Sequence, residues 1–234
     1  VTLKVAVGDR IELEGRIRTV GLIAKANGKD FAVTAGDLGA LGDHPLRDVG
    51  IPSAELLRAL ALPRKAGLPN DPRFTIGGIA APEDCLKETV SWFHPKAGRV
   101  QGIVVGLHGF VRFRTGDEFV LVRDLVELQF TSSEAKGEQP PALSSEDAGG
   151  LVTTWDGRPI GLIVAVRTVS TFVAPLSGFL ANRGLVHRTV ERDAGIKMHD
   201  LGRQLVEQEA GLASQRVELM HEGSLGLEAF LEAA

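Results

Sequence analysis

The chain of 234 residues has a single cysteine, Cys85, and no tyrosine. One thiol excludes a disulfide framework within the chain and points to a reducing compartment or a bacterial one, with the cytoplasm as the expected location. Only 5% of the residues are aromatic, too few to build the stacking platforms that hold single-stranded nucleic acid. An excess of positive charge is missing as well. Lys and Arg number 26 against 30 Asp and Glu, a formal net charge of −4, so no global field draws phosphate backbones or anionic lipid. No apolar run approaches the roughly 18 to 20 residues of a membrane-spanning helix, and the N-terminal V-T-L-K-V-A-V-G-D-R lacks the layout of a signal peptide. Neither nucleic acid nor membrane is an expected partner. The sequence contains no CxxC pair, no HExxH and no Walker-type glycine loop, so no metal and no cofactor is expected.

What is present is an ordinary globular composition with strong β patterning. Arg10 to Arg18 reads R-I-E-L-E-G-R-I-R, with Ile11, Leu13 and Ile17 among charged neighbours, and predicts a strand buried on one face. Val20 to Ala26 and Lys29 to Ala35 flank Asn27-Gly28, a pair suited to the positive φ angles of a tight hairpin turn. Leu151 to Trp155 and Arg158 to Val166 repeat the design around Asp156-Gly157. Gly36 to Asp71 is rich in Gly, Pro and Asp and reads as an inserted loop with one short helix, Ser53 to Leu62, ended by Pro63. Val100 to Val105, Gly109 to Arg114, Glu118 to Arg123 and Leu125 to Phe130 read as four short strands of an antiparallel barrel or sandwich. Thr131 to Asp147 is a polar loop. Asp200 to His221 predicts a helical tail from its Glu, Gln, Arg, Leu and Ala content.

Two segments resemble the trypsin-like serine proteases. Phe31-Ala32-Val33-Thr34-Ala35-Gly36-Asp37 is similar to the strand that ends in that family's T-A-[AG]-H motif. Glu146-Asp147-Ala148-Gly149-Gly150-Leu151-Val152 is similar to its G-D-S-G-G-P-V nucleophile loop, followed by a matching strand pair. Thr171 to Leu176 resembles the strand before the C-terminal helix in bacterial and viral members. The likeness covers residues 10 to 180. It implies an all-β fold of two six-stranded antiparallel barrels of the chymotrypsin type. The first spans residues 1–90 with an inserted loop at 36–71 and the second residues 96–185, before a helical tail at 186–234.

The resemblance fails at the chemistry. Asp37 stands at the position of the catalytic histidine, Ala148 at that of the nucleophilic serine, and Glu146 at the first glycine of the oxyanion loop, which also includes Asp147 and Gly149. Acyl transfer needs a hydroxyl, an imidazole to take its proton, and backbone N–H groups for the oxyanion. Asp71 and Asp84 both lie where the third triad acid belongs, and Ala142 falls among the positions that shape the family's pocket. The expected function is a protease homologue that no longer cuts and binds a peptide or protein in the cleft between the barrels. One alternative is an active endopeptidase in which Ala148 stands for a serine, which leaves Asp37 and Glu146 unexplained. Another is a structural domain of a larger assembly.

The remaining polar residues have plainer readings. Ser144 and Ser145 read as turn formers, and His44 as a turn histidine; together with Asp37 and Asp43 it makes an oxygen-rich group that turn composition explains. His94 and His108 read as packing or edge residues. The pairs Arg16/Arg18 and Arg112/Arg114 read as solvated strand exteriors.

Overall fold

Strand patterning and glycine turns set the order of elements in the computed structural model, which describes residues 4–63, 67, 78–94, 98–133, 144–167 and 170–187. Strands β1 (Arg10–Leu13) and β2 (Arg16–Thr19) form a ribbon, and β3 (Leu22–Ala26) and β4 (Lys29–Ala35) form the expected hairpin. A two-residue strand β5 (Ile51–Pro52) precedes β6 (Leu57–Ala61). Then come β7 (Thr89–His94), β8 (Gly98–Thr115), β9 (Glu118–Ser133), β10 (Leu151–Thr154), β11 (Pro159–Val166) and β12 (Thr171–Pro175). Helix α1 (Leu176–Asn182) and strand β13 (Val186–His187) complete the described chain.

The strands assemble into sheets of seven, four and two. In the largest the order is β12-β11-β10-β7-β8-β9-β5, and β9 pairs a second time with β12, bringing Val126 opposite Val173. The four-stranded sheet runs β13-β3-β4-β6, and β1-β2 stands as the pair. The described pairings are therefore mostly antiparallel β, as expected, but they do not divide into two sets of six.

Four expectations change. Arg10 to Arg18 is not one strand: Glu14 and Gly15 take φ of 54° and 72°, a primed turn that folds the segment on itself with Leu13 opposite Arg16. Ser53 to Leu62 is not a helix. Ser53–Leu56 makes one 3₁₀ turn and β6 then pairs with β4, where Leu57 is fully buried, so the free edge of β4 overrides local propensity. The four short strands of 100–130 are two long ones, because a register shift between Val104 and Gly106 carries β8 past that glycine and β9 runs on through Asp124, whose φ is 63°. Val186–His187, placed in a helical tail, instead adds a strand to β3. The rest of that tail lies outside the described residues.

Three apolar clusters hold the described sheets, the smallest of them around Val20, Ile23 and Ala32, and two are large. One lies within the seven-stranded sheet around Trp92, Val100, Leu128, Ile160 and Val173. The other joins Leu22, Val33 and Leu57 of the four-stranded sheet to Leu162, Phe172, Leu176 and Phe179, and includes Ala148. Burying one such aliphatic side chain stabilises the fold by about 1.5–3 kcal/mol. Cys85, in the 3₁₀ turn Pro82–Cys85, is buried, and burial raises its thiol above the ordinary range against the opposing charge of Arg158. Among the described residues no helix is long and apolar enough to cross a membrane.

Two stability measurements follow. Leu162→Ala, which empties the centre of the joining cluster, is expected to cost about 2–5 kcal/mol in urea unfolding. His187 buries its Nε2 without a described partner, and burial holds its imidazole below the ordinary 6.5. The folded state thus binds fewer protons than the unfolded one. Stability is complete above pH 6.5 and falls as pH drops toward the lowered value. His187→Phe should flatten that part of the stability profile, whereas an unchanged profile refutes the assignment.

Candidate functional site

The 144–150 turn is built on its own side chains. Asp147, almost fully buried, accepts through Oδ2 from the Ser144 N–H at 2.7 Å and from Ser144 Oγ at 3.2 Å, while Ser144 Oγ accepts the Glu146 N–H at 3.2 Å. His94 Nε2 lies 3.9 Å from the other Asp147 oxygen, with the Trp92 ring edge-on to the imidazole. Beyond the turn the backbone locks onto β11: the Gly149 N–H donates to the Ile163 carbonyl at 2.7 Å and the Ile163 N–H to the Gly150 carbonyl at 2.9 Å.

This turn meets the end of β2 with no room to spare. Thr19 donates its backbone N–H to the Ala148 carbonyl at 2.9 Å and its hydroxyl to the Glu146 carbonyl at 3.0 Å. The Thr19 carbonyl in turn accepts from Thr34 Oγ1 at 2.6 Å, tying in β4. Gly149 has φ of 96°, and a Cβ there would sit 2.0 Å from the Thr19 carbonyl oxygen. Only glycine meets both conditions. Gly21 is held equally close from the other side, since its Cβ would lie 2.2 Å from the Gly149 carbonyl.

Asp37, two residues past the end of β4, lies against Arg16 and Arg18 of β2. Its Oδ2 is 2.9 Å from Arg16 Nε, its Oδ1 is 3.9 Å from Arg18 NH2, and Oδ1 also accepts the Gly39 N–H at 3.0 Å. Arg18 is buried, which lowers its guanidinium from the ordinary range while Asp37 opposes the change. Consecutive residues of β2 therefore reach the two motif segments, Arg18 toward Asp37 and Thr19 toward Ala148. The structure brings both segments to one place. Glu146 turns outward, its Oε2 2.6 Å from Arg10 NH1.

Other sequence candidates fall elsewhere. Asp84 is exposed in the Pro82–Cys85 turn, and no described bond links it to Asp37 or Ala148. Asp71 and Ala142 lie outside the described residues. His44 accepts the Leu46 N–H within its own turn. No three His, Cys, Asp or Glu residues among those described are arranged to hold a metal ion. His108, read as a packing residue, sits 2.5 Å from Glu127. Burial alone would raise the Glu127 carboxyl, but hydrogen bonds from His108 and Ser170 outweigh it and leave it below the ordinary range. The reading of Arg16 and Arg18 as solvated is corrected for Arg18, which is buried beside Asp37. Their shared parity on one strand was visible in the sequence; their acid partner was not.

No family model and no curated protein matches the chain. Solved structures do. Protease A of Thermobifida fusca aligns at 15% identity with a TM-score of 0.54, over 80% of this chain and 99% of its own. The chymotrypsin of Cellulomonas bogoriensis aligns at 18% with a TM-score of 0.55 over 80% and 100%, and Nocardiopsis protease at 17% with 0.52 over 80% and 100%. The fold is that of the chymotrypsin-like serine proteases. At such identities the likeness speaks for the fold alone. Within that fold, the segments that resemble the family's base and nucleophile motifs meet at β2.

Two substitutions probe the junction by chemical denaturation. Gly149→Ala should cost at least about 3 kcal/mol, from a positive φ combined with a clash against a carbonyl. Thr34→Val, which removes the donor to the Thr19 carbonyl, should cost about 1–3 kcal/mol; a neutral result for either would show that the junction is loose.

Proposed function

We infer that this chain is a chymotrypsin-fold protein that does not hydrolyse peptides and instead binds an extended peptide or protein segment between its two β halves, taken as two barrels. The observation that carries the reading is the pairing of Asp37 with Arg16 at 2.9 Å, beside the buried Arg18, at the position of the general base. A base must offer a free lone pair to the nucleophile's proton. Here one carboxylate oxygen is held by a guanidinium and the other by the Gly39 N–H. Ala148 supplies a methyl group where a hydroxyl is required.

The oxyanion loop supports the same reading. The N–H of Glu146, the residue in place of the loop's first glycine, donates to Ser144 Oγ, inside a 3₁₀ turn, rather than standing free for a substrate oxygen. Base, nucleophile and oxyanion donor are thus all altered, which a single Ser-to-Ala replacement does not account for. Binding has no need of any of the three, because an extended segment is held by strand edges through backbone hydrogen bonds.

Hydrolysis of a peptide library by the native chain, by Ala148→Ser and by Asp37→His/Ala148→Ser tests the chemistry. All three are expected to be inactive, since restored side chains still face Arg16, Arg18 and a diverted N–H. Turnover by the double variant would favour the active-enzyme alternative, and fluorophosphonate labelling of Ser144 would overturn the reading outright. For binding, photo-crosslinked peptides are expected to map to residues 146–150 and to the surroundings of Asp37.

A further inference from the structure

The outer edge of β8 is used by neither the core nor the candidate site. β7 covers that edge only as far as Ile103, which lies opposite Thr89, and the backbone of Lys87 and Glu88 extends the cover to Val104. From Val105 to Thr115, no strand among the described residues pairs with it. Exposed edges of soluble proteins are usually short, charged or bent away. This one is long and carries Val105, Leu107 and Phe110, which are 46%, 38% and 61% exposed. Large apolar side chains exposed along a free strand edge mark a contact site.

The charges select the partner. β8 contains Arg99, His108, Arg112 and Arg114 and not one Asp or Glu in its 18 residues, within a chain whose net charge is −4. The Arg112 guanidinium lies over the Phe119 ring at 3.9 Å, with no carboxylate among the described residues at ion-pair distance. Arg114 NH2 is 3.7 Å from Asp117, both widely exposed. Arg167 reaches the same strand and donates to the Arg112 carbonyl at 2.9 Å. Three guanidinium groups therefore gather at the far end of an unpaired apolar edge.

We propose that this edge takes up an extended, acid-rich segment of a protein partner by strand addition. Backbone groups of Val105–Val111 supply the pairing, Val105 and Leu107 the apolar contact, and Arg112, Arg114 and Arg167 the charge recognition. A second copy of the chain is a poorer occupant, because β8 against β8 sets two strands with cations and no acids side by side. None of the edge residues bonds to Asp37 or the 144–150 turn among the described contacts, so the proposal stands whether or not the chain cuts peptides.

Fluorescence anisotropy of the full chain with a fluorescein-labelled peptide of alternating Val and Glu tests it, with a Val-Lys peptide and an oligothymidylate as controls. The Val-Glu peptide is expected to bind about tenfold or more tighter than the Val-Lys peptide and to weaken with added salt. Arg112→Glu/Arg114→Glu should weaken it by about tenfold or more. Hydrogen exchange should slow in 105–111 when the Val-Glu peptide is bound. If the reversal variant fails to fold, Arg112→Gln/Arg114→Gln gives the same readout. Equal binding of both peptides, preference for the oligothymidylate, protection confined to 146–150, or unchanged affinity in a folded variant would each overturn the proposal.

Discussion

The meeting of β2 with the 144–150 turn is the constraint on which the rest depends. Thr19 commits its N–H, its hydroxyl and its carbonyl to Ala148, Glu146 and Thr34, so the 144–150 turn and β4 are both tied to one residue of β2. Gly149 and Gly21 remove the side chains that would hold these backbones apart. Close backbone contact of this kind is intolerant of change because neither partner is a flexible side chain that can move aside. The joining apolar cluster, with Ala148 at its margin, then has a fixed frame to pack against.

A frame that holds two motif segments together is a requirement for proteolysis but not a sufficient one. On the proposed reading the backbone arrangement is kept while the reagents are not: a methyl group, a carboxylate held by arginine and a diverted N–H stand where that reading puts nucleophile, base and oxyanion donor. Scaffold and reagents are separable because the first is set by buried hydrogen bonds and glycine contacts, and the second by a handful of side-chain tips. The Arg10–Glu146 pair shows the contrast, since both side chains are nearly half exposed and an ion pair in that setting contributes little to stability.

The β class, both glycine hairpins and the two motif segments could all be read from the residues, because alternation and Asn-Gly or Asp-Gly turns act locally. What escaped depended on partners far away in the chain. Glu14-Gly15 is a weaker turn signal than Asn-Gly, so β1 and β2 merged into one strand on paper. Ser53 to Leu62 has helix formers and a proline stop, yet the open edge of β4 claimed Leu57–Ala61 for a sheet. Gly106 looks like a strand end but sits at a bulge of one long strand. The arginine partners of Asp37 were visible as a same-face pair, but only the folding of β2 beside β4 and the 36–39 turn revealed what they face.

Cys85 offers a consequence of a different kind. Its sulfur is buried, its hydrogen points to the Ala81 carbonyl at 3.3 Å, and its thiol is held in the protonated form that reacts slowly with electrophiles. As the chain has no second thiol, an alkylating reagent finds its target only when the turn at 82–85 opens. The molecule thus carries a built-in clock for its own breathing, set in a turn whose next residues, Lys87 and Glu88, bond to Val104 of β8.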